Sequence, residues 1–321
     1  MKHTEEIAHL RPGCKSVQRS AACKITARMT SDAATALHAA NRRGVLAISA
    51  GMAAFVANDT LVKYVSQTLP ASQLILLRGI MASALLLVIA HAMGVTRRLA
   101  DLLDGRVMAR AGLDALGTVT YLVSLFHIPL ANATAINMAT PLVVTVLAVV
   151  AYREQVSTAR WLAIAVGCAG VLLVVQPGGT DWSAYALLCL VGTLFQATRD
   201  FATRQIDRTI PSVLITLSTA ITVTLFAGVW SLFQEWAPVQ PVQLGLLAAA
   251  SVFLSAGYFL VTVAMRAGEM SLIAPFRYSG LVFALLLGYA VWGQVPNAWA
   301  WAGIALLLGA GMWLMRAPRA R

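Results

Sequence analysis

Charge is the scarcest property of this 321-residue chain. Lys, Arg, Asp and Glu make up 12% of it, against about 25% in ordinary soluble domains. Hydrophobic residues make up 59%, and mean hydropathy is +0.75. A soluble domain of this size cannot cover its surface with so little charge, so the composition requires a bilayer. Histidine is almost as rare: His3, His9, His38, His91 and His127 are the full set, none in H-E-x-x-H spacing, and no G-x-S-x-G occurs. A membrane-embedded enzyme of either type would lack its machinery. No Walker A sequence is present, so the chain carries no P-loop for ATP hydrolysis. Cys14, Cys23, Cys168 and Cys189 have neither C-x-x-C nor metal-ligand spacing; neither a disulfide, a metal site nor a cofactor is expected.

Acidic residues number 13 against 24 basic ones, for a net charge of +11. Such a balance points to nucleic acid only where the cations gather in one patch. Here they lie between apolar stretches, so the expected partners are the lipid bilayer and a small-molecule substrate, not nucleic acid. Residues 1–43 are polar and basic, without the charged start and apolar run of a signal peptide. They read as a disordered cytoplasmic tail, with Met29 as an alternative start. Residues 316–321 read as a basic cytoplasmic C-terminus.

Between these ends, ten apolar runs approach the roughly 20 residues that a helix needs to cross hydrocarbon: 44–64, 71–92, 106–126, 130–151, 158–175, 183–203, 210–230, 242–265, 270–292 and 297–315. Lys and Arg fix their direction. With the N-terminus inside, the inside segments hold Arg97, Arg98, Arg106, Arg110, Arg153, Arg160, Arg204, Arg208 and Arg266, whereas the outside loops hold no Lys or Arg. The fold expected is an all-α integral membrane protein of ten helices with both termini cytoplasmic. Trp182, Trp230, Trp236, Trp292, Trp299 and Trp301 near outer ends, with Trp161 and Trp313 near inner ends, form an aromatic belt.

A faint repeat runs through the chain. D-T-L-V-K at 59–63 with T-L-P at 68–70 corresponds to D-F-A-T-R at 200–204 with T-I-P at 209–211, a shift of 141 residues. Five helices is an odd number, so the second half must enter the membrane inverted. Two units follow, 44–178 and 179–315, an arrangement used by secondary transporters that hold substrate near the midplane.

A few charges fall inside the runs. Ionised groups there cost about 3 kcal/mol or more at the bilayer centre and so face cavities or partners. Depth sorts them into an outward layer of Asp59, Arg78 and Asn137 and an inward layer of Asp114 and Arg277. Arg277 lies seven residues into its run, about 11 Å deep. Asp59 and Lys63 have the i,i+4 spacing of a helix-end ion pair, and Asp200 with Arg204 has the same spacing near the inner surface. Arg78 is placed to pair with Asp59. Around Arg277 the sequence reads A-P-F-R-Y-S-G, and the mirror segment carries Asn137, Met138 and Pro141. A proline within a helix frees a carbonyl and breaks the rod, and broken helices with polar groups at depth point to a transport site. Arg277, Asn137 and Asp114 with Tyr278, Tyr258 and Tyr121 are therefore the candidate substrate contacts. Asp59, Arg78, Lys63, Asp200 and Glu269 are the candidates for gating or for carrying a coupling proton. Small residues on the fifth and tenth runs (Ala163, Gly167, Gly170; Gly303, Gly309, Gly311) serve packing of those helices or a homodimer contact.

The stretch PLANATAINMATPLVVTVLAVVAYREQVS leading into WLAIAVGCAGVLLV, with its counterpart APFRYSGLVFALLLGYAVWGQVP leading into WAGIALLLGAG, resembles the EamA-type repeat of the drug/metabolite transporter superfamily. The resemblance covers about 44–315 and implies ten helices in two inverted repeats, moving small metabolites across the bacterial inner membrane. The family's loop glutamate is matched by Glu154, and its second-repeat counterpart is Gln294 here. Arg78 and the D-x-x-x-K and R-D-x-x-x-R segments look closest to the riboflavin, S-adenosylmethionine and metallophore carriers. The function expected is secondary transport by alternating access; a lipid flippase, a non-transporting scaffold and, remotely, an embedded enzyme are the rival readings.

Overall fold

The computed structural model describes residues 40–152, 157–177, 183–203, 205–207, 209–267 and 273–316. Most of the N-terminal tail, Arg153, Glu154, Arg204, Arg208, Glu269 and residues 317–321 lie outside this set. The described residues are helical, without strands. In chain order the helices are α1 (Ala40–Val65), α2 (Ala71–Ala92), α3 (Gly105–His127), α4 (Leu130–Asn137), α5 (Thr140–Tyr152), α6 (Thr158–Val175), α7 (Ala184–Thr203), α8 (Ser212–Ser231), α9 (Pro241–Ala267), α10 (Ser279–Trp292) and α11 (Ala298–Arg316). Short 3₁₀ turns at Thr96–Leu103 and Ala274–Tyr278 precede α3 and α10.

Seven helical segments are long and apolar enough to cross a membrane: α1, α2, the α4–α5 pair, α6, α8, α9 and the segment Pro275–Trp292. The apolar stretch Ala298–Leu314 is shorter. α3 and α7 are 23 and 20 residues long, but Arg106, Arg110 and Asp114 in one and Arg199 and Asp200 in the other dilute their apolar character. The chain is a multi-pass membrane protein; seven such segments, not ten, meet the length and hydropathy requirement among the described residues.

Local chemistry sets the boundaries. Pro70 and Pro211, the matched prolines of the repeat, are the N-cap residues of α2 and α8 with extended backbone, where a missing N–H costs nothing. Asp104 caps α3, accepting from the Arg106 and Val107 amides at 2.9 and 3.2 Å. The run 130–151 is broken between α4 and α5. Pro141 has no N–H to offer the Asn137 carbonyl four residues back; that carbonyl accepts from Thr140 Oγ1 at 2.6 Å instead. In the second half a proline again marks a helix break: Pro275 opens the 3₁₀ turn before α10.

Packing carries the repeat into three dimensions. α3 packs along α7 and α2 along α8. Gly117 of α3 and Gly192 of α7 cross closely enough that a Cβ on either would stand 3.3 Å from the other's carbonyl. Gly51 of α1 and Gly257 of α9 repeat the crossing at the same 3.3 Å. Gly51 maps onto Gly192 and Gly117 onto Gly257 at shifts of 141 and 140, so each helix pair recurs with its partners exchanged, as a two-fold axis requires. α3 on α8 and α2 on α9 form a second such pair of contacts. Between α2 and α8, Ser83 Oγ and Thr224 Oγ1 lie 3.5 Å apart and 141 residues apart, a position meeting its own counterpart.

The small-residue stripes of α6 and α11 serve each other within the chain. A Cβ at Gly303 would lie 2.6 Å from the Gly170 carbonyl and 3.0 Å from the Val174 amide, backbone atoms that have nowhere to go. Gly303→Val is expected to destabilise the protein by about 1–3 kcal/mol or more, read as a lower unfolding temperature of the purified protein. Gly309→Ala, which meets no atom within 4 Å, should leave it unchanged or slightly raised.

Candidate functional site

Two polar clusters lie along α3, at Asp114 and at Tyr121. Seven residues separate them, about 10.5 Å of helix rise with both side chains on one face.

At the first, Asp114 is 2% exposed. It accepts from Arg199 Nη1 at 2.6 Å, from Arg110 Nη1 at 3.3 Å and from Thr219 Oγ1 at 3.1 Å. Arg199 also holds Asp200 at 2.7 Å. Arg110 also donates to Thr219 at 2.7 Å and to Thr203 at 3.0 Å. Two carboxylates face two guanidiniums and the hydroxyls fill the remaining positions, so the cluster clamps α3, α7 and α8 with its charges matched.

The second cluster joins α1, α2 and α3. Asp59 accepts from Tyr121 OH at 2.8 Å and from Asn58 Nδ2 at 2.9 Å. Arg78, 5% exposed, donates Nη1 to Asn58 Oδ1 at 3.3 Å, and its Nε is buried with no partner. Arg78 is within electrostatic reach of Asp59 but forms no ion pair with it. Lys63 does not pair with Asp59 either, correcting the i,i+4 expectation. Its ammonium donates to the carbonyl of Leu125 at 2.6 Å and to that of Ile128, and lies 5.6 Å over the Trp292 ring. Those carbonyls close α3, where the helix leaves acceptors without intrahelical donors and the dipole favours a cation. Tyr258 of α9 is within electrostatic reach of both clusters, of Arg78 in one and of Asp114 and Arg199 in the other. It packs edge-on against Phe55 of α1 at 5.1 Å.

The remaining candidates stand apart. Asn137 is turned onto its own helix break, its Oδ1 accepting from Thr140 at 3.2 Å, and makes no bond to Asp59 or Arg78. Tyr278 is buried against Gly311 of α11. Arg277 is exposed on the 3₁₀ turn and is not brought to Asp114. Asp200 takes Arg199, the next residue back, while Arg204 and Glu269 lie outside the described residues. Asn58, Arg110 and Thr219 belong to the clusters although depth alone did not mark them. The repeat register did carry a signal, since Asn58 and Asp59 map onto Arg199 and Asp200, and Arg78 onto Thr219, at a shift of 141. An apolar groove of about 420 Å³ lined by Val119, Phe226, Val229, Trp230 and Phe233 offers nothing to orient a polar solute. No three His, Cys, Asp or Glu among the described residues are grouped to hold a metal.

Comparison with known proteins identifies the family. Residues 42–176 and 183–316 each match the EamA-like transporter family. A pseudopaline exporter of Pseudomonas aeruginosa is 28% identical over 284 residues, 87% of this chain and 98% of its own. A riboflavin transporter of Rhizobium johnstonii is 27% identical over 66% of this chain and 70% of its own. An S-adenosylmethionine uptake transporter of Rickettsia prowazekii is 23% identical over 80% and 87%. A solved structure, itself described only as a protein, superposes with a TM-score of 0.59 at 17% identity, covering 87% of this chain and 97% of the other; that likeness speaks to the fold alone.

Proposed function

Since the chain belongs to the EamA-like transporter family, whose relatives here carry small molecules across membranes, we propose that it moves a small organic metabolite across the bacterial inner membrane by alternating access. Ten crossings with both termini cytoplasmic are part of this reading, the halves 44–178 and 179–315 being inserted in opposite senses. The Lys and Arg distribution and the exchanged-partner packing support it. The observation that carries the mechanism is the pair of separate charged clusters two turns apart on α3. The inner one is bound to the second repeat through α7 and α8, and the outer one to the first through α1 and α2.

A solute bound between them, beside Tyr258, is sealed from either side by the cluster that is closed. Opening the inner side separates Asp114 from Arg199, with water replacing the lost hydrogen bonds. Arg277 meets the anionic part of the solute on that inner side, and Asn137 at the helix break orients the remainder. Asp59, Asp114 and Glu269 are the carboxylates available to a coupling proton. Riboflavin, S-adenosylmethionine and pseudopaline are the solutes to assay first, by analogy with the relatives.

Purified protein in liposomes tests the reading. Uptake or counterflow of at least one water-soluble solute is expected. Scrambling of labelled lipid without solute movement would make the protein a flippase, and movement of neither would make it a scaffold.

A further inference from the structure

The two charged clusters share three register positions, Asn58 with Arg199, Asp59 with Asp200 and Arg78 with Thr219, yet their charges are matched differently. The inner cluster is internally complete: Asp114 receives two guanidiniums and Thr219, and Arg199 spans two carboxylates. The outer cluster is not. A guanidinium has five N–H donors in a planar fork, and among the described residues the Arg78 side chain makes one hydrogen bond, to Asn58 at 3.3 Å. Its Nε is buried and unpartnered. Its counterpart in the other repeat is the neutral Thr219, so no second charge was placed to meet it. Asp59 has a matching deficit. Its two oxygens accept from a phenol and an amide, both neutral, and the nearby Lys63 is committed to the end of α3. Asn58 bridges the two, giving its Nδ2 to Asp59 and its Oδ1 to Arg78. Among the described residues, a carboxylate without a contacting cation and a guanidinium without a contacting anion are thus held one side-chain amide apart.

We infer that Asp59 and Arg78 form a subsite for a zwitterion, the α-amino-acid type of end group, in which Arg78 takes the carboxylate and Asp59 the ammonium. The planar fork of Arg78 matches two carboxylate oxygens at once, which satisfies the orphaned Nε. The ammonium supplies to Asp59 the charge that neither Lys63 nor Arg78 contacts it with. Phe55 and Tyr258, packed edge to face, lie alongside and give the rest of the solute an apolar wall. A purely anionic solute would leave Asp59 as a repelling neighbour, and a purely cationic one would leave Arg78 unpaired. The site therefore selects for both charges together.

The inference rests on the transporter reading, and the test separates the two. The full chain in lipid nanodiscs is titrated with S-adenosylmethionine and with L-phenylalanine, each beside its decarboxylated counterpart, and with riboflavin, which carries no amino-acid end. At least one zwitterion should bind the unaltered protein tenfold or more tightly than its decarboxylated counterpart. Arg78→Gln should bring that pair within about twofold, and Asp59→Asn should weaken the zwitterion tenfold or more. The comparison of paired ligands on the unaltered protein needs no variant to fold. Equal affinity for both members of each pair, or binding of riboflavin but no zwitterion, would overturn the inference. If riboflavin nevertheless accumulates in liposomes, the transporter reading survives that failure.

Discussion

Asp114→Ala is expected to destabilise the protein more than removal of any other described charge, by about 3–5 kcal/mol, and to abolish transport. Asp114 is buried and is the common acceptor for Arg110, Arg199 and Thr219 on three helices. Without it, two guanidiniums face each other in an interior that excludes water. Arg199 keeps Asp200, and among the described residues Arg110 keeps the hydroxyls of Thr203 and Thr219 and no carboxylate. Breaking one side of a buried pair costs more than the pair is worth, because the surviving charge stays desolvated. The double variant Asp114→Ala/Arg199→Ala should therefore lose less stability than the two single losses added together. Asp114→Asn, which retains an acceptor, should lie between the single alanine variant and the parent. Tryptophan fluorescence during thermal unfolding of the purified variants checks the series. An Asp114→Ala protein that unfolds with its parent would show that the clamp does not hold α3, α7 and α8 together.

Arg277→Ala is expected to reduce solute transport to background while leaving insertion and unfolding temperature unchanged. Arg277 is exposed and pairs with no described carboxylate, so its removal strands no partner. An arginine at membrane depth costs about 3 kcal/mol or more against hydrocarbon and is retained where water reaches it. It lies one helical turn before Gly280, and a Cβ on Gly280 would meet Met52 of α1 and Met138 of the α4–α5 break at 3.5 Å. Arg277→Lys keeps the charge but loses the fork, and should retain part of the rate with a raised KM. Uptake into liposomes at matched protein density is the measurement; full transport by the alanine variant would remove Arg277 from the solute's path.

Much of the architecture was readable from spacing alone, because bilayer thickness fixes helix length and proline fixes where a helix starts or breaks. Pro70, Pro211, Pro141 and Pro275 mark boundaries in the structure as they do in the sequence. The clusters were harder to read. Depth along a run gives a residue's level in the membrane but not which way it faces, so the inward layer of Asp114 and Arg277 is not formed: Asp114 takes Arg110 and Arg199 instead. Arg110 looked like an inside-loop cation because it sits near the start of its helix, yet i,i+4 geometry carries it to Asp114. The i,i+4 spacing of Lys63 offers it Asp59, and the open carbonyls of Leu125 and Ile128 compete for it only once α3 is packed against α1. The glycines that cross in the core, Gly51, Gly117, Gly192 and Gly257, are also related by the 140–141-residue register.

Opposed insertion of the two halves is the claim on which all of this depends. Reporter fusions at residue 94, between α2 and α3, and at residue 233, between α8 and α9, test it most directly in intact cells. The first should report the cytoplasm and the second the opposite face. Both on one face would contradict the inverted arrangement, and with it the assignment of the Asp59 and Asp114 clusters to opposite sides of a central solute.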